Sequence, residues 1–384
     1  VRSVVVAKFV PWPPNSGDKR RTLGIVRGLR AQGEVTLCAF AGEDEDAAPL
    51  EAEGIEVRSV PLRRRPDDLA AGLALGRSLT AARFYDRRLA RLVAEAVTED
   101  TDVLVVEHVQ LLPYARGLHP RMRVVDMHNI ESALARRMAG AASGIRRLAW
   151  TAETRALEVM ERRVRDVDVV AVVSDVDRVS LTDVVEHPRV VVVPNAWDEP
   201  EPQPPATDPV VSFVALLSWG PNVDAATWFC SAVWPLVVAQ LPEARLQLVG
   251  RNPAPEVQAL AGDTVQVSGT VPDLAPWYAR TRVAVAPLRV GGGSRLKILE
   301  ALAAGRPVVA TAVGAEGLED LTGRGVLIAD DPAGMAAEIV GLLADPARSE
   351  ELGRAGVAAV AADHSWAAAL RPLLAQLSAG PTTR

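Results

Sequence analysis

Short runs of β-branched residues alternate along this chain with longer stretches whose apolar positions recur every three or four residues. In the first half the runs are "SVVVAKF", "EVTLCAF", "DVLVVEH", "RVVDMH", "DVDVVAVVS" and "VVVVP", and "RTLGIVRGLRAQG" between the first two has the helical period. Runs that are apolar on both faces predict parallel strands buried beneath helices. The alternation stops at "PNAWDEPEPQPPATDP", residues 194 to 209, too rich in proline and acid for either element, which predicts a linker. It restarts with "VVSFVALL", the helical "DAATWFCSAVWPLVVAQL", then "RLQLVG", "VQVSG", "VAVAPL", "PVVATA" and "GVLIAD". Residues 333 to 378 are alanine-rich and helical, broken at "ADPARS" and "AADHSW". The expected fold class is therefore α/β, with two Rossmann-like, doubly wound domains at 1–195 and 210–360. A linker at 196–209 joins them, and a C-terminal helix within 361–384 packs back on the N-terminal domain. Two such domains facing each other across a cleft would carry their chemistry on the loops after the strands.

Composition removes several function classes. The chain is 49% apolar and 23% charged, which suits a globular protein and not a disordered one. No apolar run is long enough to span a bilayer, and "VRSVVVAKFV" reads as a strand rather than a leader, so the expectation is a cytoplasmic protein. Cys38 and Cys230, one in each half, offer no metal spacing and fit a reducing compartment. Residues 1–195 hold 29 Lys and Arg against 28 Asp and Glu, whereas residues 196–384 hold 13 against 20. Neither half has the basic excess that nucleic acid would demand.

Candidate chemistry concentrates in "RVGGGSRLKILEALAAG", where a glycine loop leads from a strand into a helix. Ser294 stands where an N-cap belongs. Free N–H groups and the positive end of the helix dipole would attract a phosphate there, and Gly292 and Gly293 would let it approach the backbone. Arg295 and Lys297 would add charge-assisted bonds. The plain alternative is a turn with two solvated cations. No GK[ST] follows, so this is not a Walker loop, and its late position excludes a dinucleotide fingerprint.

The segment "LKILEALAAGRPVVATAVGAEGLEDL", with "GVLIADDP" after it, closely resembles the donor-binding region of glycosyltransferase family 4. That family has the GT-B fold and transfers sugars from nucleotide sugars with retention. "PWPPNSGDKRRTLGIVRGLRAQGEVTL", "AVVSDVD", "SWGPNVDAATWF", "VQVSGTVPDLAPWYARTRVAVAPL" and "HSW" extend the likeness in order along the chain. The resemblance implies that Glu300, the second acid of an E-x7-E motif, binds the ribose hydroxyls. The first acid falls on Gly292, so its contact with the donor sugar is missing and backbone N–H groups would replace it. Arg295 and Lys297 would hold the diphosphate, because "LLSWGPNVD" lacks the cations that many relatives carry there. "VVVVPNAWD" departs as well, with Ala196 after Asn195 where most members have glycine. Arg251, after "LQLVG", is a second diphosphate candidate or a surface arginine. Backbone groups of Gly269, Thr270 and Val271 would meet the base.

In the first half the resemblance implies that His128, ending the "VVDMH" strand, faces the donor sugar, with Asp126 as a structural acceptor. Gly17 would bring backbone N–H groups to the diphosphate or the acceptor, or else simply turn the chain with Asp18 as cap. Arg20 and Arg21 open a helix against its dipole, which hints at an anionic partner. Ile145, Ala149, Ala152, Ala156, Val159 and Val164 recur at helical spacing amid arginines, and residues 133–165 hold 8 Arg and 3 Glu. They read as a core helix with a solvated basic face, and alternatively as a contact with anionic lipid at the inner face of a membrane.

The expected function is a retaining, metal-independent glycosyltransferase with no cofactor besides its nucleotide-sugar donor. Its acceptor class stays open between natural product, glycolipid, polysaccharide and small metabolite. A nucleotide-sugar epimerase of the same fold and a non-catalytic nucleotide-sugar-binding subunit are the alternatives.

Overall fold

The computed structural model describes the chain except for residues 43, 64, 77, 199–200, 205, 291–294 and 381–384. The described residues form two compact units. Unit 1 holds residues 1–195 and the C-terminal segment from 369, and unit 2 holds the described residues from 196 to 368.

Among the described residues, unit 1 is built on a seven-stranded parallel sheet. Its strands are β1 (Arg2–Phe9), β2 (Glu34–Ala41), β3 (Glu56–Pro61), β4 (Val103–Glu107), β5 (Met122–Met127), β6 (Val169–Val172) and β7 (Val190–Val192), in the order β3-β2-β1-β4-β5-β6-β7. Val4, Val6, Leu104, Val106, Val125 and Val170 are buried in one core layer on this sheet. Covering both faces is what makes the strands continuously apolar. β3 is the exception: "EVRSVP" mixes exposed and half-buried positions at the sheet edge, and its mixed composition hid it from the apolar-run criterion.

Unit 2 repeats the plan with β8 (Val210–Val214), β9 (Arg245–Val249), β10 (Val265–Val267), β11 (Val283–Ala286), β12 (Val308–Ala310) and β13 (Val326–Ile328), ordered β10-β9-β8-β11-β12-β13. In each sheet the winding direction reverses once, between β1 and β4 in unit 1 and between β8 and β11 in unit 2. Loops after those strands diverge and leave a crevice at the carboxyl edge, where open α/β sheets bind ligands.

The helices needed below are α1 (Gly17–Arg30), α2 (Gly144–Glu161), α3 (Leu296–Ala303), α4 (Pro346–Asp363) and α5 (Arg371–Ala379). The expected helix over "DAATWFCSAVWPLVVAQL" starts four residues earlier, at Gly220, and contains a wide π turn over Phe229–Val233. Pro235 follows directly and lacks the N–H that would continue the ladder. On α2 the predicted apolar face is displaced. Thr154, Leu157, Met160 and Glu161 are buried, while Ile145, Ala149 and Ala152 are exposed. Spacing alone admitted both faces, since alanine marks neither.

The proline-rich segment after Asn195 is fastened to unit 2. Trp197 N donates to His364 O at 2.7 Å, Gln203 N to Ala304 O at 3.1 Å, and Trp366 N to the Asp198 carboxylate at 2.9 Å. After Ala368 the chain re-enters unit 1, where Arg189 of the β6–β7 connection donates to Gln376 Oε1 (2.9 Å), Gln376 O (3.2 Å) and Gly380 O (3.0 Å).

Candidate functional site

In unit 1, β4 and β5 pair so that Glu107 lies opposite Asp126, bringing two carboxylates together at the carboxyl edge of the sheet. Both are fully buried. Each has a partner from α1. Arg21, itself buried, grips Asp126 through Nη2 to Oδ1 at 2.5 Å and Nε to Oδ2 at 2.8 Å, and Thr22 Oγ1 donates to Glu107. Arg21 also donates to Val193 O at 2.9 Å and to Asn195 Oδ1 at 3.1 Å. The cation that opens α1 therefore serves an internal acid, and the external anion expected for Arg21 is replaced by Asp126.

His128, just past β5, places Nε2 at 3.2 Å from Asp126 Oδ2 and 3.7 Å from Glu107 Oε2. Burial by itself would lower its pKa, but the two acids outweigh burial and raise it, so the imidazolium is favoured. Asp126 is likewise opposed by burial, yet Arg21 and His128 hold it well below the usual carboxylate range. Burial raises Glu107 more than its partners lower it. The His108 ring stacks on that of His128, with centroids 3.6 Å apart and planes tilted by 35°. Burial and the charge of His128 push His108 well below its ordinary pKa. Its Nδ1 has no partner among the described residues and its backbone has φ 71°, a left-handed conformation that a non-glycine residue adopts at a cost.

Glu107, His108 and His128 each bring one potential metal-ligating atom within 4.8 Å of the others. Imidazole lone pairs lie in the ring plane, and two rings stacked this way direct them side by side rather than onto one ion. Lys8, at the end of β1, lies over the Phe84 ring at 5.0 Å, and burial lowers its pKa despite the acids Glu131, Asp18 and Glu107.

Gly17 is the first residue of α1, after Ser16 at the N-cap. Asp18 is in the first turn, bonded to the Ser16 hydroxyl rather than acting as cap.

Gly292, Gly293 and Ser294 lie outside the described residues. In unit 2, α3 begins at Leu296 with Arg295 at its N-cap position, one residue later than a Ser294 cap implies. Arg295 is 3% exposed and pairs with Glu316 at 3.1 Å. Lys297 donates to Asn222 Oδ1 at 2.7 Å, and its Nζ lies 5.1 Å from the centre of the Phe213 ring. Burial, reinforced by the Arg295 charge, pushes the Lys297 ammonium down to about 7. Asn222 follows β8 and Lys297 follows β11, so this bond spans the two arms of the switch point. One helical turn beyond, Glu300 Oε2 lies 3.5 Å from the Tyr278 hydroxyl.

Arg251 follows β9 on the same sheet edge. Gly250 before it has φ 155°, and a side chain there would collide with Ala215 O, so the backbones after β8 and β9 touch only because position 250 is glycine. Gly269, Thr270 and Val271 follow β10, two strands from the switch point, with Gly269 at φ 71° and Thr270 exposed. The sequence did not single out Glu107, His108, Asn222, Tyr278 or Glu316. An acid ending an otherwise apolar run, as in "VLVVE", was the available signal for Glu107.

Two family models match the chain: a "Glycosyl transferase 4-like domain" over residues 16–196 and "Glycosyl transferases group 1" over residues 208–345. A search of curated proteins gives no match. Among solved structures, sucrose-phosphate synthase from Thermosynechococcus elongatus is 19% identical with a TM-score of 0.72, over 98% of this chain and 99% of that one. HepE from Anabaena, solved with UDP, is 15% identical with a TM-score of 0.68, over 99% and 100%. The UDP-forming α,α-trehalose-phosphate synthase from Burkholderia xenovorans, solved with glucose-6-phosphate, is 13% identical with a TM-score of 0.67, over 98% and 99%.

Proposed function

This chain belongs to the group 1, family 4-like glycosyltransferases and has their GT-B fold, and from that premise we propose that it moves a sugar from a nucleoside-diphosphate donor to a hydroxyl or amine acceptor, with retention and without a metal ion or other cofactor. The observation that carries this reading is the pairing of Lys297 with Asn222 across the switch point of unit 2. A buried ammonium with a pKa near 7 is poised to gain charge when an anion arrives. Neighbours of this fold solved with UDP, or with UDP and glucose, support a nucleotide-sugar donor.

In this reading Lys297 and Arg295 hold the diphosphate, with Gly292, Gly293 and Ser294 lending backbone or hydroxyl groups and Arg251 a further charge. Glu300 takes the ribose hydroxyls, and the backbone of Gly269 to Val271 meets the base. As the glycosidic bond breaks, negative charge grows on the β-phosphate, and fixed buried cations stabilise it without reorganising. The acceptor attacks on the face from which the diphosphate leaves, and a departing phosphate oxygen takes its proton, so no side-chain nucleophile is required. His128, its pKa raised by Asp126 and Glu107, donates to a sugar hydroxyl, and the N–H at Gly17 faces diphosphate or acceptor. A peripheral contact with anionic lipid is part of the proposal: Ile145 and Leu148 are 80% and 67% exposed beside Arg146 and Arg147. No helix among the described residues is long and apolar enough to cross a membrane.

The deciding experiment is a thermal-shift screen with UDP, GDP, ADP and dTDP, followed by the matching sugars with and without acceptors. One nucleoside diphosphate should stabilise the protein, and transfer should need an acceptor. Isomerised donor without acceptor would instead reveal an epimerase, and binding without any turnover a non-catalytic subunit. Lys297→Ala and Arg295→Ala should weaken the diphosphate far more than the nucleoside, and an equal loss for both ligands removes these residues from the site.

A further inference from the structure

We propose that unit 2 carries a second binding site, for a small organic anion, in a cavity at the amino-terminal edge of its sheet. Arg282 directly precedes β11 and Arg306 precedes β12, so the cavity they line opens at the end of the sheet opposite Arg251 and Lys297. A four-residue strand separates the two ends by roughly 13 Å. The site is thus independent of any reading of the donor site. Its volume is about 360 Å³, within the range of pockets that hold small ligands.

Charge is what identifies the occupant. Arg306 is 4% exposed; its Nη2 donates to Pro204 O at 2.6 Å and its Nε has no partner among the described residues. Arg282 is also buried and spends its donors on the carbonyls of Ala206, Leu343 and Thr207. Neither guanidinium has an ion pair among the described residues. The acid on the cavity rim, Glu350, is engaged with Arg354 at 3.7 Å in an i,i+4 pair on α4. Among the described residues two buried cations therefore share a cavity without a counter-ion, an arrangement that costs stability until an anion enters. Burial also lowers the Arg306 pKa, in keeping with a cation that lacks an acid.

The remaining walls are apolar, among them Pro202, Pro307, Val357 and Ala361. A bare inorganic anion would satisfy Arg306 and leave these walls unfilled. A carboxylate or phosphate ester on a ring-sized apolar body satisfies both. Because Pro202 and Gln203 belong to the segment that joins the two units, occupancy would reinforce the packing of that segment on unit 2.

Phenyl phosphate, inorganic phosphate and benzyl alcohol separate the contributions in a thermal-shift titration. Phenyl phosphate at millimolar concentration should raise the melting temperature, more than phosphate does, and benzyl alcohol should not. Arg306→Met should abolish the response while melting cooperatively, and without ligand it should melt at or above the parent, having lost an uncompensated charge. Val357→Trp, which fills the cavity and keeps Arg306, should abolish the response too and covers the case in which the methionine variant fails to fold. Lys297→Ala should keep the response. No shift with phenyl phosphate, equal shifts with phosphate, or a response that survives both cavity variants or vanishes in Lys297→Ala overturns the proposal.

Discussion

The pKa of His128 is raised by two acids, Asp126 and Glu107, and among the described residues only Asp126 is itself paired with an arginine. Replacing Glu107 by Gln removes an acid that raises the pKa of the ring, so that pKa should fall. An NMR titration of the His128 ring protons reads this directly, and an unchanged titration would show that Glu107 does not act on His128. Lys297 makes a prediction of opposite sense. Free, it titrates at about 7; a bound diphosphate favours the charged form, so its pKa rises in the complex. Between those two values binding takes up a proton, and affinity falls with increasing pH by up to about tenfold per unit. Calorimetry in buffers of different ionisation enthalpy should detect the uptake at pH 8, and Lys297→Met should lose it. His128 and Lys297 could be read in the sequence because each follows a strand that ends in a recognisable loop. Their partners could not, since Glu107 reaches His128 through strand register and Asn222 reaches Lys297 across a sheet, and a single sequence specifies neither pairing.

At the scale of elements, apolar runs located the central strands because both faces of each sheet are covered, and failed at β3, whose edge position allows polar residues. Helix faces were less legible. In α2 the alanines at 149, 152 and 156 satisfied a helical period without choosing a side, and packing instead buries Leu157 and Met160 and leaves the first turns open. Exposed Ile145 and Leu148 then stand among Arg146 and Arg147, a pattern that binds anionic bilayers by combining apolar insertion with charge attraction. Ile145→Asp combined with Leu148→Asp should reduce cosedimentation with phosphatidylglycerol vesicles at least about tenfold, since each side chain contributes roughly 1 kcal/mol or more on insertion. The melting temperature should hardly move, as neither residue is buried. Undiminished binding would assign the exposed face another purpose.

The whole molecule is threaded so that the chain leaves unit 1 after Asn195, builds unit 2, and returns at Ala369 to finish the first unit with α5. What α5 supplies is specific. Leu373 is fully buried, Leu370 lies against Gly28 of α1 so closely that a side chain at position 28 would collide with it, and Arg189 near β7 is bonded to the end of the helix. A fragment ending at Asn195 would expose the α1 surface around Gly28 and leave Arg189 without its carbonyl partners. Such a fragment should therefore be less stable than unit 1 in the full chain. In the full chain Leu373→Ala leaves a cavity in unit 1 alone and should cost about 2–5 kcal/mol there. Hydrogen exchange resolves the two units: amides of β1 and β7 should exchange faster in the variant, with β8 and β9 unchanged. Equal acceleration in both sheets would mean that the units unfold together and that α5 stabilises the molecule as one cooperative body.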